Sequence, residues 1–424
     1  MADTLPLSET AALLRQRDYI SFVLGRFLAT LGVLVQATTI AWQIYALARA
    51  QGLSVNNASF TLSMIGLIQF LPVLILTLPA GQVADHHNRR NIMVFSLLAD
   101  LVSTCILAAL GFLNPIIWPI FLIAAAFGCS RAFTSPAGGA LAPMLVPREL
   151  MPRALAWNSL AWQTGSIAGP VLGGGVLALA AHFGEEKHAP GWAYVVSAGL
   201  YVASILMLLT IKANTTPERQ SGSRWEMMKE GLAYVWREKI VLGAISLDLF
   251  AVILGGATLL LPAFAADVLK VGPEGYGVLR ASSGAGAAVM AFYLASHPVK
   301  RRAGAIMFTC VGIFGAATVV FGLSKSIWLS VAALALLGAA DMISVFVRQT
   351  LVQIVTPDNM RGRVASVSGL FIGASNELGE FESGLVARFL GPVGAAVFGG
   401  IGAMIVTGVW SQLFPALRKA DRLA

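Results

Sequence analysis

Several ionisable residues stand in long apolar stretches that leave little room for solvated charge, foremost Arg26, Arg131, Asp248, Asp341, Arg348, Glu377, Glu380 and Glu382. A charge near the centre of a bilayer costs at least roughly 2.5–3.5 kcal/mol, so each must pair, reach the interface or do work. Carboxylates sharing a partly dry site hold protons more readily than solvated ones, which suits them to carry protons near neutral pH. Asp341 with Glu377 or Glu380 is therefore the expected proton-coupling set. Glu377 and Glu380 are three residues apart and share a helix face, whereas Glu382 points elsewhere. Pairing with Arg280, Arg348 or Arg388 would act in the opposite sense, and the sequence leaves that alternative open. Asp100 is expected to be structural.

The charges recur in a pattern. One constant shift lays Arg131 on Asp341, Gly128 on Gly338, Leu141 on Leu351, Pro147 on Pro357 and Arg153 on Arg363, as two homologous halves would. Arg26 and Asp248 lie at equivalent depths in the first span of each half. Opposite signs at equivalent places can face each other and separate as two bundles rock, so Arg26 and Asp248 are expected to help close an inner gate. Satisfaction of each charge within its own half is the alternative, because sequence does not determine rotation about a helix axis.

The elements that position these residues follow from composition. Of 424 residues, 57% are hydrophobic and 12% charged, against about 25% charged in an ordinary soluble protein. Apolar runs bounded by charges, Pro and Gly predict an all-α membrane protein with twelve spans: 18–48, 58–82, 91–112, 116–141, 154–181, 190–211, 240–266, 274–296, 303–323, 327–352, 363–389 and 391–413. Basic residues concentrate on one side, in Arg15, Arg17, Arg89, Arg90, Arg148, Arg153, Lys300, Arg301, Arg302, Arg361, Arg363, Arg418, Lys419 and Arg422, with six more from Lys212 to Lys239. The other side carries Arg49, Lys187, Lys270, Lys325 and Arg388. This asymmetry places both termini in the cytoplasm. The expected organisation is an N-terminal six-helix bundle over 1–211, a cytoplasmic linker over 212–239 and a C-terminal six-helix bundle over 240–424. Within the linker, Trp225, Met228, Leu232 and Trp236 recur at helical spacing beside Glu226, Lys229 and Glu230, predicting an amphipathic helix on the inner membrane surface. A solvated linker is the plainer alternative. The first 17 residues lack the features of a cleaved signal peptide.

Two motifs bear on mechanism. Between the second and third spans stands Gly81-Gln-Val-Ala-Asp85-His86-His87-Asn88-Arg89-Arg90. Gly allows close helix contact, Asp suits a helix N-terminus, and the Arg pair can bridge to carboxylates or anionic lipid. The fifth span holds Gly165-Ser-Ile-Ala-Gly169-Pro170-Val-Leu-Gly173-Gly174-Gly175. Small residues at spacing four permit tight crossing and Pro170 offers a bend, although plain small-residue packing would read the same way.

The first motif resembles the loop signature of the major facilitator superfamily, with His86 and Asn88 in place of its usual Arg and Gly. The second is similar to the antiporter motif of that superfamily's exporters. With Gly25-Arg26-Phe27, the stretch from Gly338 through Arg363 and the run Asn376-Glu-Leu-Gly-Glu-Phe-Glu-Ser-Gly384, the chain resembles its siderophore and drug exporter branch over essentially its whole length. The resemblance implies two pseudo-symmetric six-helix bundles, a cytoplasmic latch at Gly81, Asp85, Arg89 and Arg90, and export of an amphiphilic solute by proton antiport with alternating access. It also implies a bacterial inner membrane location, a lipid bilayer and small-molecule substrate as partners, a monomeric state, and the proton gradient in place of any cofactor. Proton-coupled uptake or facilitation would use the same fold.

A membrane-embedded enzyme or receptor would need a nucleophile with its base or a metal-ligand cluster. The five His residues have no ligand spacing, and Cys105, Cys129 and Cys310 fall inside apolar runs as small hydrophobes. No nucleotide-binding loop is present, so ATP-driven pumping is not expected. The net charge of +8 reflects loop placement rather than nucleic-acid binding.

Overall fold

Where lipid replaces water, helix is the local structure that satisfies the backbone from within. The computed structural model is built of such helices and describes residues 12–13, 15–113, 116–216, 224–297, 299, 301–358 and 360–420. Lys300, Arg422, Arg219 and the greater part of the first 14 residues, all used in the charge and signal-peptide arguments, lie outside the described residues. The long helices are α1 (Arg17–Ala50), α2 (Val55–His86), α3 (Arg89–Phe112), α4 (Ile117–Leu141), α5 (Met151–His182) and α6 (Ala189–Leu209), then α7 (Arg224–Arg237), α8 (Lys239–Gly255), α9 (Gly272–Ser296), α10 (Ala303–Leu323), α11 (Ile327–Val355) and α12 (Arg361–Leu413).

Among the described residues, ten helical stretches are long and apolar enough, by length and composition, to cross a membrane. One is α12, whose 53 residues break at Gly391 (φ 74°), just before Pro392, into two spanning segments. The break falls where the last two expected spans meet, because φ above zero suits glycine and proline cannot donate to the helix ladder. α9, 25 residues long and rich in Gly and Ser, matches the remaining expected span. The seventh expected span, 240–266, is not one smooth helix. After Gly255 it passes through a tight turn (Ala257–Leu260), Leu261–Ala263 and a wide turn (Phe264–Val268). The physical reason is contact: a Cβ on Gly256 would stand 2.5 Å from the Gly379 carbonyl oxygen of α12, and Pro262 removes a donor one turn later.

By packing, the chain divides into two compact units, residues 1–39 with 71–221, and residues 40–70 with 222–424. In the first, α5 lies on α1 through small residues: a Cβ on Gly165 would meet Thr30 Cγ2 at 2.7 Å, and one on Gly169 would meet Leu34 Cβ at 2.6 Å. A buried polar node ties α1, α3 and α6, where Gln36 Oε1 accepts from Tyr201 OH (2.6 Å) and Thr104 Oγ1 (3.3 Å). In the second unit, α9 and α11 cross with almost no side chain between them. A Cβ on Gly338 would stand 1.9 Å from the Ser283 carbonyl oxygen, and one on Gly286 1.8 Å from that of Ala335. Residues 40–70, the end of α1 and the start of α2, belong to this unit by packing.

Candidate functional site

In the second unit, α8, α10 and α11 leave a crevice lined by Asp248, Ala251, Val252, Cys310, Val311, Phe314, Asp341 and Ser344. α11 brings Asp341, Ser344 and Arg348 to one face by their spacing of three and four residues. The apolar core of Ala244, Leu247, Met307, Val311, Val347 and Leu351 packs beside them and keeps water scarce. Arg348 Nη1 donates to Asp248 Oδ2 in a buried ion pair, with side chains 4% and 10% exposed. Arg348 Nε is buried and makes no hydrogen bond among the described residues, so the guanidinium keeps a spare donor. The result is a crevice lined by two carboxylates, one of them paired with a buried guanidinium.

All three residues stand out in the sequence, with Arg348 as an alternative partner of Asp341, but the pairing of Arg348 with Asp248 does not. Arg26 and Asp248, expected to face each other, each find partners inside their own unit. Arg26 Nη1 reaches the Gly138 carbonyl at 3.5 Å and its guanidinium carbon lies 6.0 Å from the Phe22 ring centroid, while Asp248 is taken by Arg348. Arg131 is exposed on α4. Asp341 and the α12 carboxylates were grouped in expectation, yet no α12 residue lines the crevice among the described residues. Glu377 is buried, and Glu380 half-buried, where α2 crosses α12: a Cβ on Gly66 would stand 3.0 Å from the Glu377 carbonyl oxygen and 3.3 Å from Glu380 Oε2. Glu382 is half-buried and turns away from them, as its spacing requires.

Arg89, Arg90 and Asn88 of the loop each bond to the first unit. Gly81 is buried and Asp85 half-buried. Arg89 Nη1 donates to the Ala140 carbonyl at the end of α4 (2.9 Å), and Arg90 Nη1 to that of Ile211, just past α6 (2.5 Å). Carbonyls at a helix C-terminus lack intrahelical donors and carry partial negative charge, so a guanidinium is a suitable cap. Asn88 caps the start of α3 by accepting from the Asn91 amide, and also accepts from Thr215 Oγ1 at 2.7 Å. Thr215 was not anticipated, since nothing in a polar linker marks one residue as the tie. Gly165, Gly169, Pro170, Gly173 and Gly174 of α5 are all buried, the first three glycines of the set at the crossing with α1.

A second polar cluster was also unanticipated. Asp267, in the wide turn that follows α8, accepts from Tyr45 OH (2.5 Å) and pairs with Arg49 Nη2 (3.0 Å), both near the end of α1. Asn56 Nδ2 donates to the Arg388 carbonyl at 3.3 Å, and the Arg388 guanidinium lies 4.8 Å from the Phe60 ring centroid. Trp42 stacks on Tyr276 of α9 at 5.8 Å. The hairpin of residues 40–70 is thus pinned to α9, α12 and the turn after α8 by aromatic, ionic and amide contacts.

A model of the family of transmembrane secretion effectors matches residues 8–423. The multidrug efflux pump Tap of Mycolicibacterium fortuitum is 26% identical over 385 residues, covering 86% of this chain and 90% of that protein. The enterobactin exporter EntS of Citrobacter koseri is 28% identical over 386 residues, covering 90% of this chain and 84% of its own. In fold, the chain is similar to a POT family transporter crystallised with 5-aminolevulinic acid, at a TM-score of 0.73 and 11% identity, over 95% of this chain and 96% of that one.

Proposed function

Because the chain belongs to the transmembrane secretion effector family, within the major facilitator superfamily, we propose that it exports an amphiphilic organic solute of the siderophore or drug-like class by proton antiport with alternating access. The observation that carries the coupling is the Asp248, Arg348 and Asp341 crevice. Two carboxylates and one guanidinium sum to one negative charge, and a single bound proton makes the set neutral. Buried charge is tolerated only when paired, so the set favours one proton whenever water is excluded from it. With Asp341 protonated, Arg348 belongs to Asp248. On release of the proton, both carboxylates compete for the guanidinium, whose spare Nε donor lies buried between α8 and α11. A shift of Arg348 toward Asp341 draws on the packing of these two helices, and that links proton occupancy to bundle movement. Glu377 and Glu380, at the close crossing of α2 and α12, are placed to sense the same movement.

The exporter direction is supported by the family and by the efflux relatives, and the membrane is proposed to be the bacterial inner membrane with both termini cytoplasmic. The test uses inverted vesicles with an imposed pH gradient and a panel of siderophores and drug-like amphiphiles. Accumulation should require the gradient. Asp341→Asn should abolish gradient-driven accumulation while retaining exchange of labelled for unlabelled substrate across the membrane. Accumulation indifferent to the gradient, or full gradient-driven transport by Asp341→Asn, would remove the proposed coupling.

A further inference from the structure

α7 carries two apolar faces where an ordinary amphipathic helix has one. The inner face is Met228, Gly231 and Val235, packed in a core with Val241, Val364 and Val367. A Cβ on Gly231 would stand 2.8 Å from the Arg363 carbonyl oxygen, so α7 lies directly on the start of α12. Tyr234 OH donates to the Val355 carbonyl at the end of α11 (3.0 Å), and Glu230 pairs with Arg363 (2.7 Å). Met228, expected in one stripe with Trp225, Leu232 and Trp236, therefore turns inward.

The outer face is left exposed among the described residues. Trp225, Leu232 and Trp236 are 54%, 43% and 67% exposed. Lys229 lies over the Trp225 ring at 5.2 Å, and Lys229 and Arg237 flank a shallow groove floored by Leu232, Ala233 and Trp236. Glu230, on the same helix, is already neutralised by Arg363. Where this face lies is decided by connectivity: a single residue, Glu238, separates α7 from the membrane-spanning α8. A helix of 14 residues is about 21 Å long, so tethered at that point it cannot leave the neighbourhood of the bilayer surface. Indole rings with basic neighbours have the chemistry of the headgroup layer, apolar body inward and polar edge to water.

We propose that the outer face of α7 is a docking surface for anionic lipid headgroups, and that it transmits the charge of the bilayer surface to α11 and α12. Lys229 and Arg237 meet the phosphates, while Trp225, Leu232 and Trp236 enter the layer beneath them. The inner face converts that anchorage into restraint, because Tyr234 and Glu230 hold the end of α11 and the beginning of α12, the helices that carry Asp341, Arg348, Glu377 and Glu380. The inference rests on the membrane-spanning fold and not on proton coupling.

The test is amide hydrogen exchange of the full chain in nanodiscs of phosphatidylcholine, with and without phosphatidylglycerol. Two basic side chains near an anionic surface should slow exchange across residues 225–237 by about thirtyfold in the anionic discs. Lys229→Glu with Arg237→Glu should bring the ratio between the two discs to about one, and the milder Lys229→Gln with Arg237→Gln should do the same if charge reversal disturbs folding. Trp225→Ala with Trp236→Ala should raise exchange in both discs. Equal wild-type exchange in the two lipids, or a ratio unchanged by either basic pair, overturns the proposal. If inorganic phosphate added to phosphatidylcholine discs reproduces the protection, the groove serves a free anion and the lipid assignment falls.

Discussion

Arg348→Met should destabilise the protein several times more than Asp248→Asn, although the two residues share one ion pair. Removing the guanidinium leaves Asp248 and Asp341 around one crevice without a cation. Uncompensated buried charge of this kind costs about 3–5 kcal/mol. Asp248→Asn instead leaves Asp341 and Arg348, one charge of each sign, about two turns apart on one face of α11. The amide oxygen still accepts from Arg348, so the loss is that of a charge-assisted over a neutral hydrogen bond, about 1 kcal/mol. At roughly 2–4 °C per kcal/mol, the expected falls in Tm are on the order of 10 °C for Arg348→Met and about 3 °C for Asp248→Asn, read by thermal unfolding in detergent. Combining both changes should recover part of the Arg348→Met loss, since only Asp341 then remains charged. Equal losses for the two single variants, or a double variant no better than Arg348→Met, would refute the idea that the three side chains form one charge-balanced set.

Three further outcomes follow from the packing. Gly338→Ala forces a Cβ to within 1.9 Å of the Ser283 carbonyl oxygen and should cost about 3 kcal/mol or prevent folding, whereas Gly369→Ala, with nothing within 4 Å, should be neutral or stabilising by up to about 1 kcal/mol; Tm values for the pair check it. Asp267→Asn keeps the Tyr45 hydrogen bond but loses the charge facing a half-exposed Arg49, so exchange of amides near residues 44–54 should quicken about fivefold, corresponding to about 1 kcal/mol. Arg89→Lys cannot reproduce the planar fork that caps Ala140, and the last turn of α4 should lose about 1 kcal/mol of protection in the same measurement, with α9 unaffected as the internal control.

Much of the architecture was legible because it depends on averages along the chain. Length and apolarity of a run determine that it spans, and Gly391 with Pro392 marks the one place where a helix of 53 residues turns back. The interruption at Gly255 and Gly256 escaped notice because those glycines are ordinary inside an apolar run, and only the Phe314 ring against Gly255 and the Gly379 carbonyl against Gly256, both from other helices, make them necessary. The α5 glycines were readable as a close-packing stripe from their spacing, but that α1 is the helix they admit is a fact of topology. The Arg pair at residues 89 and 90 was visible as a basic loop, while its carbonyl partners at residues 140 and 211 come from helices whose ends meet there only after folding.

The sequence alone determined that this is a helical membrane transporter with ionisable residues at depth, since burying charge in lipid is too costly to be incidental. Tertiary structure decided which of those residues act together. A membrane helix is apolar on nearly every side, so the periodicity that reveals the inward face of a soluble helix is almost absent here. Rotation about each axis is set instead by where glycine lets backbones touch, as at Gly338 on Ser283 and Gly66 on Glu377. In the folded chain Arg348 meets Asp248, Arg26 meets the Gly138 carbonyl, and Met228 turns toward the protein while Trp225 and Trp236 face outward.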